Sequence, residues 1–387
     1  MTSFHSAVLV LGALLIVGAL LAGLARRSFL SLTAVFVLVG FALGSDGFDV
    51  LQFDPHSGFV EGLAITALIV ILFRDGLEVE AEMLQKASGP PLRKLALGMP
   101  ITAGIVALIT HVVTDLGWTE SFLVGALLSP TDPVLSSSVV TNSRIPRRIR
   151  HSINLESGLN DGLALPPVLA LTAALAVTDD DFTWWTFVLQ DVGLGVLMGL
   201  AVAYLASLRP PTPEPALYGL GVAFATYGLA ILVHGNGFIA VFVCAIALTI
   251  RRPALRVNFE KGADDLIEIV KLGIFVVFGS LLTVDGLFGD GWAAVAIVAG
   301  TLLVARPIAV FVSLAGTKLG TDVKAFMAWF GPKGVATMTF SLLVLGENIP
   351  SGERIFDIAA LAVFVSILVH GLTDHPGSEW MARRSEA

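Results

Sequence analysis

Thirteen apolar runs of membrane-spanning length divide this chain, at roughly 7–25, 29–44, 60–78, 94–113, 120–141, 151–177, 185–207, 215–233, 236–250, 263–283, 291–315, 325–346 and 355–373. One crossing takes about 20 apolar residues, so the chain is nearly used up by its spans. The charge content agrees. Only 14% of the residues are charged, against about a quarter in a soluble domain, which is too few to cover a water-facing surface. The chain therefore reads as an all-α polytopic membrane protein with about 13 transmembrane helices in a single domain. The tail beyond Gly371 is short, and no soluble regulatory domain is expected.

A net charge of −8 gains meaning only when it is sorted by loop, because cytoplasmic loops carry an excess of Lys and Arg. One set of loops holds 18 of the 23 basic residues: Arg26 and Arg27; Lys86, Arg93 and Lys94; Arg144, Arg147, Arg148 and Arg150; Arg209; Arg251, Arg252, Arg256 and Lys261; Lys318 and Lys324; Arg383 and Arg384. The alternate set is acidic, with Arg354 as its only base. This alternation predicts an N-terminus outside and a C-terminus in the cytoplasm. The first run reads as a span and not as a signal peptide, since its basic pair follows the apolar stretch instead of preceding it.

Two spans are interrupted by helix breakers. Ser129-Pro130-Thr131-Asp132-Pro133 divides the fifth, and Gly331-Pro332-Lys333-Gly334 divides the twelfth. Seven helices separate them, an odd offset, so the second crosses the membrane in the opposite sense. The chain thus divides into a first repeat (1–177), a linker helix (185–207) and a second, inverted repeat (215–375). The two broken helices are expected to cross at the midplane, the pattern that marks the binding site of a secondary transporter.

Charges inside apolar spans are costly and point to function. They are Arg74, Asp75, Glu78, Asp132, Glu156, Asp161, Lys271, Arg306 and Lys333. Asp132 precedes Pro133 as an N-cap residue precedes a first-turn proline, and its carboxylate could cap a half-helix, face a cation, or do both. The break also frees carbonyls such as that of Thr131. Lys333 is placed to offset the negative end of a half-helix. In the sixth span Ser157 and Asp161 form one stripe and Glu156 and Asn160 another, each pair at i and i+4. A hydroxyl and a carboxylate are hard oxygen ligands suited to an alkali cation. Glu156 requires a buried cation, and Arg306 is available. Pro166 and Pro167 free carbonyls just beyond Asp161 and are read as a kink. Cys244 alone excludes disulfides and multi-cysteine metal sites. His111, His234 and His370 have no metal-ligand spacing and read as helix-end or packing residues.

Thr131-Asp132-Pro133, followed by Glu156-Ser157-x-x-Asn160-Asp161-Gly162, resembles the sodium/proton exchanger branch of the cation/proton antiporter superfamily, close to bacterial and archaeal NhaP-type proteins. Phe73-Arg74-Asp75-Gly76-Leu77-Glu78, Arg306 and Gly331-Pro332-Lys333-Gly334 resemble further motifs of that family, over the whole transmembrane chain. The resemblance implies a homodimer, and a core bundle moving against a dimerisation domain. It implies ion ligation by Asp161, Asp132, Ser157, the Thr131 carbonyl and Glu78, with Asp75 an alternative to Glu78. It also implies that Asn160 is held by Glu156 and Arg306.

The expected activity is Na+ (or Li+) exchanged for H+ by alternating access in a prokaryotic inner membrane. Asp161 would bind either ion, since a buried carboxylate has to be neutralised. Asn160 beside Asp161 suggests an electroneutral 1:1 cycle. The partners are then a monovalent cation, the proton and membrane lipid, with no nucleic acid and no cofactor. A K+/H+ antiporter is the alternative within the class; a channel or sensor without coupled exchange is the alternative outside it.

Overall fold

The structure, a computed structural model, describes residues 9, 12, 13, 16, 32–79, 89–132, 139, 142–176, 183–208, 214–347 and 349–386. Most of the first apolar run with Arg26 and Arg27, the stretch from Pro133 to Ser138, and Lys86 and Arg209 lie outside these residues. Among the described residues the chain is helical, with no β-strand.

The helices are α1 (Leu32–Leu43), α2 (Gly58–Glu78), α3 (Pro90–Val113), α4 (Trp118–Leu127), α5 (Arg147–Ala176), α6 (Trp184–Ser207), α7 (Pro215–Leu232), α8 (Gly237–Arg251), α9 (Pro253–Ser280), the short α10 (Val284–Gly289), α11 (Trp292–Ser313), α12 (Thr321–Trp329), α13 (Val335–Gly346) and α14 (Gly352–Glu386). Among the described residues, six helical stretches are long and apolar enough to cross a membrane, in α3, α5, α6, α7, α11 and α14. The chain is an integral membrane protein. Exposed Trp118, Trp184, Trp185 and Trp292 stand at the helix ends that adjoin the acidic loops, where amphipathic rings meet the headgroup region.

Two boundaries depart from the sequence reading. Helix α9 starts ten residues before the expected span, and α14 runs through Pro376 well past Gly371. Pro166 and Pro167 do not end α5, which continues to Ala176.

Lipid tails are as apolar as the helix surfaces, so close backbone approach and polar contacts bind the bundle. Helix α1 packs on α9 through Gly40 and Gly279, where any Cβ would strike the opposing backbone. Gly76 of α2 and Gly162 of α5 leave room for Phe242 of α8, so three helices converge beside Asp161. At the acidic ends Arg354 bonds Asp290 at 2.8 Å and Asp115 at 2.6 Å, and its guanidinium holds the Asp115 carboxyl below the usual carboxylate range. At the basic ends Arg384 meets Asp322 and Arg144 meets Glu379.

Candidate functional site

Pro130 has no N–H to continue α4, and the Ser129 hydroxyl turns back onto the Ala126 carbonyl at 3.0 Å. The chain from Ser129 to Asp132 leaves the helix. In the second break α12 stops at Trp329 and α13 begins at Val335, with Gly331, Pro332 and Gly334 between them.

The breaks satisfy each other. The Asp132 N–H donates to the Pro332 carbonyl at 2.9 Å, and the Val335 N–H donates to Asp132 Oδ2 at 3.0 Å. Lys333 Nζ donates to the Pro130 carbonyl at 3.1 Å, and the Thr337 hydroxyl to the Leu127 carbonyl at 3.0 Å. A carboxylate thus meets the positive N-terminus of α13, and an ammonium lies just past the negative C-terminus of α4. Sequence reasoning gave Asp132 the segment following Pro133, which lies outside the described residues. The structure shows its carboxylate on the opposite break.

Glycines make room for this contact. A Cβ on Gly334 would collide with the Asp132 carboxylate, and one on Gly331 with the Arg306 guanidinium. Gly334 has negative φ, so its requirement is space. Gly334→Ala is expected to push Asp132 off Val335 and cost about 1–3 kcal/mol, as overpacking does; a thermal melt in detergent measures it. A melt equal to that of the parent would mean the break yields without cost.

On α5, Glu156 is fully paired. Arg306 Nη1 lies 3.3 Å from Oε1, Lys94 Nζ contacts Oε2, and Arg306 Nη2 donates to the Met327 carbonyl at 3.3 Å. Sequence reasoning found Arg306 and missed Lys94, counting it as a loop cation; it is 2% exposed. The available signal was that the apolar run begins at Lys94 itself. Both cations adjoin widened π-turns, Lys94–Gly98 and Thr301–Ala305. Pro100 and Pro307 lie just downstream, and each removes a helical hydrogen bond from these turns.

Asn160 corrects another expectation. It is not held by Glu156 and Arg306; its Nδ2 donates to the Thr131 carbonyl at 2.8 Å and to Thr131 Oγ1 at 3.0 Å. An amide on α5 thereby bridges to the first break. Asn160 Oδ1 and Asp161 Oδ1 are buried and accept no hydrogen bond among the described residues. Ser157 is buried one turn before Asp161.

Asp161 lies within electrostatic reach of Asp75, Asp132 and Lys271. Glu78 instead pairs with Arg74 at 3.3 Å, and both side chains are about a quarter exposed. On α2 it is Asp75 that acts on Asp161, and Lys271 of α9 joins the group although the sequence gave it no role. Among the described residues no three His, Cys, Asp or Glu side chains gather as a metal-binding cluster. Of the residues expected around the cation, Asp132 meets the Val335 N–H, Thr131 meets Asn160, and Glu78 pairs with Arg74.

Residues 13–380 match the family model for the sodium/hydrogen exchanger, transmembrane. The chain belongs to this family. It is 28% identical over 372 residues to the K(+)/H(+) antiporter NhaP2 of Shewanella oneidensis, covering 93% of this chain and 64% of that protein. It thus spans about two thirds of the length of that relative. To the Na(+)/H(+) antiporter NhaG of Bacillus atrophaeus it is 27% identical over 365 residues, covering 88% of this chain and 68% of that one. In fold it is similar to the sodium proton antiporter MjNhaP1 of Methanocaldococcus jannaschii, with a TM-score of 0.85 at 20% identity, covering 97% of this chain and 100% of that chain.

Proposed function

We propose that the protein is a secondary antiporter exchanging a monovalent cation for protons by alternating access. The observation that carries this reading is Asp161: a buried carboxylate with an oxygen that no donor among the described residues serves. Such a group has to be neutralised, and a proton and a small cation are competing ways to do it. The neighbouring Asn160 amide oxygen, equally without a donor among the described residues, and the Ser157 hydroxyl add neutral oxygens suited to an alkali ion. Asp132 and Asp75 supply negative charge nearby, and Lys271 offsets part of it.

We read Na+ as the transported ion on the resemblance of the motifs. K+ is the second reading, favoured by relatives named as K(+)/H(+) antiporters. The same reading takes the two breaks as the centres of inverted repeats and the working unit as a homodimer in a prokaryotic plasma membrane. Exchange assays in proteoliposomes with lithium, sodium, potassium and rubidium decide the ion. Proton flux that needs no opposing cation gradient would overturn antiport in favour of a channel.

The stoichiometry rests on Asn160. One elementary charge moved across 100 mV is worth about 2.3 kcal/mol, so net charge movement reads out in the voltage response. With a neutral amide beside Asp161, one proton replaces one cation, and an imposed potential leaves the rate of cation-driven proton movement unchanged. A clear voltage dependence would mean that a second carboxylate carries a proton, with Asp75 and Asp132 the first to test.

A further inference from the structure

His370 and Ser366 lie one turn apart on α14, and together they grip both ends of the second break. His370 Nε2 is 2.9 Å from the carbonyl of Trp329, the last residue of α12. A carbonyl only accepts, so the bond to Trp329 requires the proton on Nε2. His370 Nδ1 faces its own helix, 2.9 Å from the Ser366 carbonyl and 3.1 Å from the Ser366 hydroxyl, and that hydroxyl accepts the Lys333 N–H at 2.8 Å. Both residues are buried, and Trp329 is fixed further by its indole N–H on Thr373 at 2.9 Å.

We propose that His370 is a positioning residue that, with Ser366, sets the span of the second break and through it the placement of Asp132. The path is short. Clamping Trp329 and Lys333 fixes the segment between them, which offers the Pro332 carbonyl to the Asp132 N–H; the next residues carry the Val335 N–H to the Asp132 carboxylate. The Lys333 backbone held by Ser366 also aims the ammonium at Pro130. Helix α14 contributes no carboxylate to the group around Asp161, yet it acts on that site by holding the backbone that holds Asp132. This rests on the reading of Asp132 as part of the cation site.

The test uses His370→Leu, His370→Gln, His370→Asn and Ser366→Ala in the full chain. Glutamine places an amide N–H near the position of Nε2 and asparagine near that of Nδ1, so only glutamine reaches Trp329. Hydrogen exchange of the segment spanning Lys333 to Val335 reads the clamp without any transport. Protection is expected to fall for Leu, Asn and Ser366→Ala and to hold for Gln. In proteoliposomes the first three should raise the apparent cation KM at least fivefold with the maximal rate within twofold, while Gln stays near the parent. Unchanged protection in His370→Leu overturns the clamp, whatever transport does. Lost protection with an unchanged KM overturns its link to the ion site. A parent protein that exchanges no cation for protons overturns the antiport reading instead, and the hydrogen-exchange result still decides the clamp.

Discussion

Asp161→Asn is expected to yield a folded protein that exchanges no cation for protons, with activity at the level of empty vesicles. The substitution keeps the shape of the side chain and removes the charge that a cation must meet and a proton must cancel. Because it also relieves a buried charge near Asp75 and Asp132, stability should hold or rise. In the parent protein the same competition predicts a direction with pH. Acid loads Asp161 with protons, so the apparent KM for the cation rises as pH falls, while saturating cation restores the rate. A KM independent of pH over two units would separate the proton site from the cation site. Residual exchange in Asp161→Asn would move the site to Asp132 or Asp75.

The largest loss of stability is expected from Glu156→Gln. It leaves Lys94 and Arg306 buried with no anion between them, and breaking a buried pair by removing one partner costs about 3–5 kcal/mol. Arg306→Ala is milder for charge, since Lys94 remains on Glu156, although the Met327 carbonyl loses a donor. Thermal melts of the two variants in one detergent should therefore rank Glu156→Gln as the more damaged. Equal losses would mean that Lys94 does not share the load. Replacing all three residues by apolar side chains of similar volume should recover much of the stability, because a buried ion cluster pays desolvation that apolar packing avoids.

Local chemistry was legible in the sequence where one residue type has few ways to be satisfied. Prolines and glycines in apolar runs announced both breaks, and Glu156 inside a span demanded a buried cation, which Arg306 supplies. What was not legible depended on which helix lies against which. Stripe spacing put Asn160 on a polar face of α5 but could not say that Thr131 of the first break would meet it. Lys94 was hidden by its position at a helix start, where a rule that counts loop charges cannot distinguish a side chain turned inward. Asp75 and Glu78 sit three residues apart on α2, and only packing against α5 separates the one near Asp161 from the one paired with Arg74. His370 had no spacing partner because its partners are main-chain carbonyls.

The mutual bonding of the breaks also bears on how the protein is made. Asp132 and its donor Val335 are 203 residues apart, and at about 5–20 residues per second the ribosome needs roughly 10–40 s to bridge that interval. Until then the Leu127 and Pro130 carbonyls and the Asp132 carboxylate lack the donors that the second break supplies. Nascent chains stalled before the second break should be prime substrates for membrane quality control. Two separately expressed halves should rescue one another only when both are present in the same membrane.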